Sequence, residues 1–157
     1  MGALETSHFK ETLGHFATGV VVVTAETPEG PVGFTCQTFS ALSLEPMLVS
    51  FNATTNSSSW PKIKNQGSVA INILSDDQEA LARNFARSGV DKFSGVGYSA
   101  GTNGAPVLDG VLGVIEATIL ATTTYGDHDI CVLEVASLTV HHGEPLIYFR
   151  GGFRLLD

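Results

Sequence analysis

Val20-Val21-Val22-Val23, followed by the turn Thr27-Pro28-Glu29-Gly30 and then by Pro31-Val32-Gly33-Phe34-Thr35-Cys36-Gln37, decides the fold. Four β-branched residues in a row leave no polar side for water, so they read as a strand buried on both faces. Thr27 to Gly30 places Pro and Gly where a β-turn uses them, and Pro31 to Gln37 reads as the second strand. Working outward, Met47 to Asn52 and Ser68 to Leu74 are further strands. Gly113 to Thr124 and Ile130 to Val140 form a hairpin around Gly126-Asp127. Pro145 to Arg150 follows the turn His141-His142-Gly143-Glu144 as the last strand. The pattern amounts to about seven strands.

Helical signals are few. Phe9, Leu13 and Phe16 recur at i, i+4 and i+7, one face of an opening helix that Thr6 or Ser7 would cap. Ser57-Ser58-Ser59-Trp60-Pro61 reads as the start of a helix of one or two turns before Gly67. Ser75 with Gln78 forms a capping box for a helix whose apolar face carries Leu81 and Phe85. Ser94 to Asp109, rich in Gly, Ser, Asn and Pro, reads as a long surface loop. Strands dominate without βαβ alternation. The expected fold is therefore all-β with minor helices, a closed or partly closed antiparallel barrel.

At 157 residues the chain is expected to be one domain, 1–157, large enough to bury a core. With 43% hydrophobic and 15% charged residues, disorder is excluded as the dominant state. A net charge of −8 with no Lys/Arg cluster excludes a nucleic-acid footprint. No apolar run reaches membrane-helix length, and the N-terminus lacks the features of a signal peptide. Met1-Gly2 with Thr6 superficially matches a myristoylation start, but nothing else supports a lipid anchor. Cys36 and Cys131, in separate apolar contexts, read as two buried free thiols of a reducing, cytoplasmic compartment.

Three segments carry chemistry. After the second strand, Gln37, Thr38, Ser40 and Ser43 alternate with Phe39, Ala41 and Leu42. Groups that both donate and accept hydrogen bonds, set among apolar ones, suit a ligand with an apolar ring and a polar rim; the same residues also suit a Ser/Thr-rich loop entering a strand. Asn52-Ala53-Thr54-Thr55-Asn56-Ser57-Ser58-Ser59 ends at a helix start, where unpaired amides and hydroxyls from Thr54, Ser57 and Ser59 suit an anion; a Ser-capped turn reads equally well. Gly126-Asp127-His128 occupies a hairpin tip, where a His is commonly only solvated. A metal site from Asp127, His128 and Asp129 is poor geometry, because strand neighbours point to opposite faces. His8, His15, His141 and His142 read as surface groups. Cys36, with no motif partner or nearby cation, reads as packing. No Gly-x-Gly-x-x-Gly joins a strand to a helix, which excludes a Rossmann dinucleotide site.

Gly33 to Pro46 resembles the flavin-contacting loop of the short-chain flavin reductases, the reductase halves of two-component flavin monooxygenases. Phe9 to Thr24, Asp76 to Phe93, Gly126-Asp127-His128 and Leu146 to Phe153 resemble the family's other patterns, in the family's order. The resemblance implies a flavin-binding split barrel, a Greek-key antiparallel barrel that forms homodimers. It also implies NADH- or NADPH-dependent reduction of free FMN or FAD by direct hydride transfer, with reduced flavin passed to a separate monooxygenase and no obligatory acid or base. The alternative is a flavin-binding module, or an oxidase with tightly held FMN. The implied flavin contacts are Gln37, Thr38, Ser40, Ser43, Asn52, Thr54, Ser57, Ser59, Trp60, Lys92 and Phe93, and the implied nicotinamide contact is His128. Read alone, Phe93 fits a core better than a contact. The chain departs from the family at Thr55 and Ser58, where relatives often carry Arg or Lys; Lys62 and Lys64 are the nearest cations in sequence. That departure implies a weakly held phosphate.

Overall fold

The computed structural model describes residues 3–157; the Met1-Gly2 start lies outside them. In chain order the elements are α1 (Thr6–Gly14), β1 (Thr18–Gly19), β2 (Val21–Thr27), β3 (Gly30–Cys36), β4 (Ser40–Leu44), β5 (Met47–Thr54), α2 (Trp60–Ile63), β6 (Ser68–Ile73), α3 (Glu79–Phe85), β7 (Tyr98–Ala100), β8 (Pro106–Leu108), β9 (Gly113–Tyr125), β10 (His128–Val140), β11 (Ile147–Phe149) and β12 (Gly152–Arg154). All seven expected strands are present. Pairing is antiparallel throughout, in a seven-stranded sheet of order β3-β2-β6-β9-β10-β5-β4, with β1-β11-β12 and β7-β8 as smaller sheets.

The Val20–Val23 run is buried on both faces, as its composition demands. Val21 and Val23 point into the barrel with Phe34, Phe51, Trp60, Ile71 and Leu133. Val20 and Val22 point out into a second core with Leu74, Phe85, Phe93 and Leu108. Phe34, Phe51 and Trp60 meet edge-to-face inside the barrel, at centroid distances of 5.5 to 6.2 Å. Gly33 lets α3 close on this wall: a Cβ there would lie 3.0 Å from Val23 O and 3.1 Å from the Phe85 ring. β3 and β5 do not pair, and Thr38 bridges them instead. Its Oγ1 donates to Asn52 O (2.9 Å) and accepts from Asn52 N–H (2.8 Å), which fastens the edge where the ladder is interrupted.

Several expectations are corrected. Thr6 and Ser7 lie inside α1, whose N-cap is Glu5 without a side-chain bond. Phe16 falls beyond the helix, and the apolar face is not buried: Phe9, Leu13 and Phe16 are 63%, 56% and 79% exposed. Ser40 to Leu44 is the edge strand β4, paired with β5. The long loop contains the β7–β8 hairpin. Distant polar groups order it: Glu116 Oε1 accepts from Asn103 N–H (2.9 Å), and Asn72 Oδ1 accepts from Leu108 N–H (3.0 Å).

Candidate functional site

The turn between β3 and β4 borders a cavity of about 450 Å³. Val20, Val21, Phe39 and Ile73 give it apolar walls; Thr18, Gln37, Thr38 and Ser40 give it a polar rim. The rim hydroxyls differ in what they have to offer. That of Thr38 is held by Asn52, with Cys36 Sγ 3.1 Å away. Ser40 Oγ donates to Ala41 O at 3.0 Å. Thr18 Oγ1, shielded from solvent, has no hydrogen-bond partner among the described residues. Sequence reading missed Thr18 because it sits in the strand entry, away from the hydroxyl-rich loop.

The second polar run folds differently from the expected cradle. Ser57 Oγ accepts from the N–H groups of Ser59 and Trp60, both at 3.1 Å. The amides expected to face an anion at the start of α2 are therefore capped. Thr55 donates through its N–H (3.0 Å) and its Oγ1 (3.2 Å) to Asp127 O. The polar loop and the Gly126-Asp127 turn are thus one unit, continuous with the Thr54–His128 register pair of β5 and β10. Thr54, Asn56 and Ser57 border a pocket of about 230 Å³, and Arg87 and Ser88 stand on its other side. Arg87 donates to Asn84 Oδ1. This cation comes from the segment after α3, which no spacing in the sequence ties to the loop.

Lys92 borders the same pocket as Thr54, Ser57 and Arg87, with its ammonium turned inward, while Trp60 and Phe93 pack in the two cores. Lys92 Nζ donates to Gly33 O (3.1 Å), Ser59 Oγ (2.9 Å) and Phe85 O (3.1 Å), so all three ammonium hydrogens are used. Burial, and secondarily the nearby Arg87 charge, pushes its pKa down. The residue is a latch joining β3, α2 and α3. Phe93 is a core side chain packed edge-to-face on Phe85 and Tyr98. Trp60 is fully buried and has no face to offer a ligand. Asn52 works through its backbone at the Thr38 bridge. Ser43 sits on β4, outside these cavities, and Ser59 lines a separate pocket with Ser58 and Lys62.

His128 follows the two-residue turn at Gly126, whose φ of +62° suits glycine. Its imidazole is exposed, and Nδ1 lies 2.8 Å from Asp127 Oδ1. The hydrogen bond from His128 holds the Asp127 carboxyl below its ordinary range. The Asp127 carboxylate accepts from His128 Nδ1–H, which leaves Nε2 as the ring nitrogen not engaged with Asp127. Asp129, next on the strand, points inward. It accepts from Thr124 Oγ1 (2.6 Å), Trp60 Nε1 (2.8 Å) and Lys64 Nζ (3.4 Å). The Thr124 and Trp60 bonds hold its carboxyl below the usual range, against the pull of burial. Burial drives the Cys131 thiol up to about 12 and raises Cys36 as well, so neither is a thiolate at neutral pH. Among the described residues no cluster of His, Cys, Asp and Glu could hold a metal.

The antiparallel barrel with few, short helices is the architecture of a flavin-binding split barrel. The family model of the flavin reductase like domain matches residues 13–157, and the chain belongs to that family. It is 37% identical over 153 residues to a protein named flavin reductase from Pseudomonas putida, covering 96% of this chain and 90% of that one. It is 38% identical over 152 residues to the FMN reductase (NADH) SmoA of Agrobacterium fabrum, covering 97% and 87%. Nitrilotriacetate monooxygenase component B from Mycobacterium thermoresistibile superposes with a TM-score of 0.92 at 35% identity, over 96% of this chain and 86% of that one. No helix among the described residues is long and apolar enough to cross a membrane.

Proposed function

We propose that this protein is an NADH-dependent flavin reductase that takes flavin as a diffusible substrate and hands reduced flavin to a separate monooxygenase. The observation that carries the reading is the cavity beside the β3–β4 turn: apolar walls for a ring and hydroxyl and amide groups at the rim, in a chain whose relatives are named as reductases. One such relative is the reductase subunit HsaB of a flavin-dependent monooxygenase from Rhodococcus jostii. The alternative, an oxidase with tightly held FMN, has no such support.

The residues fit a flavin. Apolar walls from Val20, Val21, Phe39 and Ile73 and the polar side chains of Gln37 and Ser40 border one cavity. Thr35 borders the Arg87 pocket and Gln37 the apolar cavity, two residues and roughly 7 Å apart along extended chain. A sugar-alcohol tail spans that gap, with the ring at one end and the phosphate beside Arg87, Thr54 and Ser57 at the other. Hydride would pass from nicotinamide C4 to flavin N5, a step that would need held proximity rather than an acid or base. The chain's part is to position the two rings. His128 Nε2 accepts from the nicotinamide carboxamide, and Asp127 fixes the imidazole orientation.

The exposed apolar residues of α1 and of the β4–β5 hairpin, where Leu42, Leu44 and Met47 are uncovered, suit a homodimer. The buried free thiols suit a reducing, cytoplasmic setting. The test is NADH oxidation with FMN, FAD or riboflavin as acceptor. Turnover well above the uncatalysed rate with at least one flavin is expected, and its absence with all three overturns the proposal. NADPH in parallel fixes the nicotinamide preference. A protein that purifies yellow and does not exchange its flavin would return the tightly bound oxidase.

A further inference from the structure

We infer that the cavity between the β2–β3 turn and α2 is an adenylate subsite, taking the adenosine phosphate end of FAD, and that Lys62 sets the preference for FAD over FMN. The inference rests on the flavin reading above and extends it. β3 is an edge strand, paired with β2 alone in the seven-stranded sheet, and cavities succeed one another along it. Gln37 borders the apolar cavity, Phe34 and Thr35 the Arg87 pocket, and Pro31, Val32 and Gly33 a third cavity of about 330 Å³. The second and third abut. Lys92 borders both, and the chain steps from one to the other between Ser57 and Ser58, between Ser88 and Gly89 and between Gly33 and Phe34. From Thr35 to Pro31 is roughly 13 Å along extended chain. With the ring at Gln37 and the first phosphate at Thr35, that is where FAD continues past the phosphate it shares with FMN.

The lining of the third cavity is mixed in a way that suits an adenylate. Pro31, Val32 and Val90 offer apolar surface for a base, and Lys62 is the one lining cation besides the inward-turned Lys92. Of the two cations nearest the polar loop in sequence, Lys64 is engaged by Asp129 at 3.4 Å, while Lys62 is exposed and makes no ion pair among the described residues. Arg87 on one side of the Ser57–Ser58 step and Lys62 on the other match the two linked phosphates of FAD, one cation for each. Two carboxylates also border the cavity. Asp91 Oδ1 accepts from Phe93 N–H at 3.1 Å. Glu29 is exposed, in the turn before β3, and a carboxylate there suits ribose hydroxyls and disfavours a free phosphate. NADH carries an adenylate too, and its proposed contact His128 pairs with Thr54 of the Arg87 pocket, so the test separates the two sources.

The test is Lys62→Ala, a change to an exposed side chain outside both cores. FAD, FMN and riboflavin are titrated by fluorescence in wild type and variant, and KM for NADH is measured with riboflavin as acceptor. Lys62→Ala is expected to weaken FAD about two- to fivefold, the scale of an exposed charge pair, with FMN, riboflavin and KM for NADH unchanged. Lys62→Arg, which keeps the charge, is expected to restore the preference for FAD. Equal weakening of FAD and FMN overturns the inference, because the charge then acts on the phosphate they share. An unaltered ratio of FAD to FMN affinity overturns it as well, and if KM for NADH rises at the same time the adenylate in the cavity is that of NADH. All these outcomes leave wild-type flavin binding standing. A wild-type protein that binds none of the three flavins sinks the reading on which the inference rests.

Discussion

Arg87→Ala separates a phosphate-holding pocket from a merely polar surface. Arg87 lines the pocket of about 230 Å³ together with Thr54, Asn56, Ser57 and the inward-turned Lys92, and Asn84 Oδ1 accepts from its guanidinium. The side chain is exposed. The relevant scale is therefore that of a solvent-screened ion pair, 0.2–1 kcal/mol, raised toward the upper end by its orientation and by the charge of a phosphate dianion. About 1 kcal/mol corresponds to roughly a fivefold loss of FMN affinity. Riboflavin carries the same ring and no phosphate, so its affinity should not change. The informative quantity is the ratio of the two dissociation constants, measured by flavin fluorescence in wild type and variant. Raising salt from 0.1 to 1 M shortens the screening length from about 10 to about 3 Å. The wild-type preference for FMN should shrink accordingly and approach that of the variant. Arg87→Lys, which keeps the charge but not the planar fork, should fall between the two. Equal weakening of FMN and riboflavin, or no weakening of either, would refute a phosphate at this pocket.

His128→Ala should raise KM for NADH about two- to tenfold, the scale of one hydrogen bond, while flavin affinity holds; steady-state kinetics with an unaltered NADH dependence would return His128 to a solvated turn. Asp129→Asn should flatten the acid limb of stability. The folded carboxyl lies below the ordinary value of 3.8, so its contribution is fully present above that value and is lost as pH falls through the lower folded one. Thermal unfolding from pH 6 to pH 3 should therefore drop more steeply in wild type than in the variant, and parallel curves would contradict this. Asn72→Ala leaves the Leu108 N–H unpaired and frees Thr24 and Val22 O from their donor, a cost of about 2–3 kcal/mol. The melting temperature should fall by roughly 5–10 °C; an unchanged one would mean that the β7–β8 hairpin finds other partners. Sedimentation at micromolar concentration should give a homodimer, and Leu13→Glu should push it toward monomer.

The barrel was legible because its signals are local. A β-branched run, a Pro-Gly turn and a two-residue hairpin tip each write their conformation into neighbouring residues, and every strand read that way is present. The β7–β8 hairpin was not legible, because Glu116 and Asn72 order it from distant positions. The face of Phe9, Leu13 and Phe16 had the helical spacing only in part, because Phe16 falls beyond α1, and periodicity marks an apolar face without saying whether the same chain covers it. The site divides along the same line. Gln37, Thr38, Ser40 and His128 lie where turn chemistry put them. Phe93 and Trp60 are residue types that suit a ligand or a core, and packing places both in the cores, whereas Lys92 borders the Arg87 pocket with its ammonium turned inward onto three acceptors. The missing cation at Thr55 and Ser58 implied a weak phosphate site, yet Arg87 reaches that pocket from another element, a juxtaposition that spacing cannot encode.

Under the proposed role of His128, the alternation of β10 is what would let an exposed histidine position a substrate without a buried site of its own. His128 points out and Asp129 points in, as successive strand residues must. The inward residue is fastened by Thr124 of β9 and by Trp60 and Lys64 at the two ends of α2, so the backbone beneath His128 is fixed by three donors from two elements. The turn before it is fastened a second time, where Thr55 donates twice to Asp127 O. Only the imidazole remains free, and the bond to Asp127 removes most of that freedom. A step governed by how closely two rings are held gains little from a strong base and much from such anchoring. Chemistry on an open surface is thereby made compatible with two substrates that must both arrive and leave.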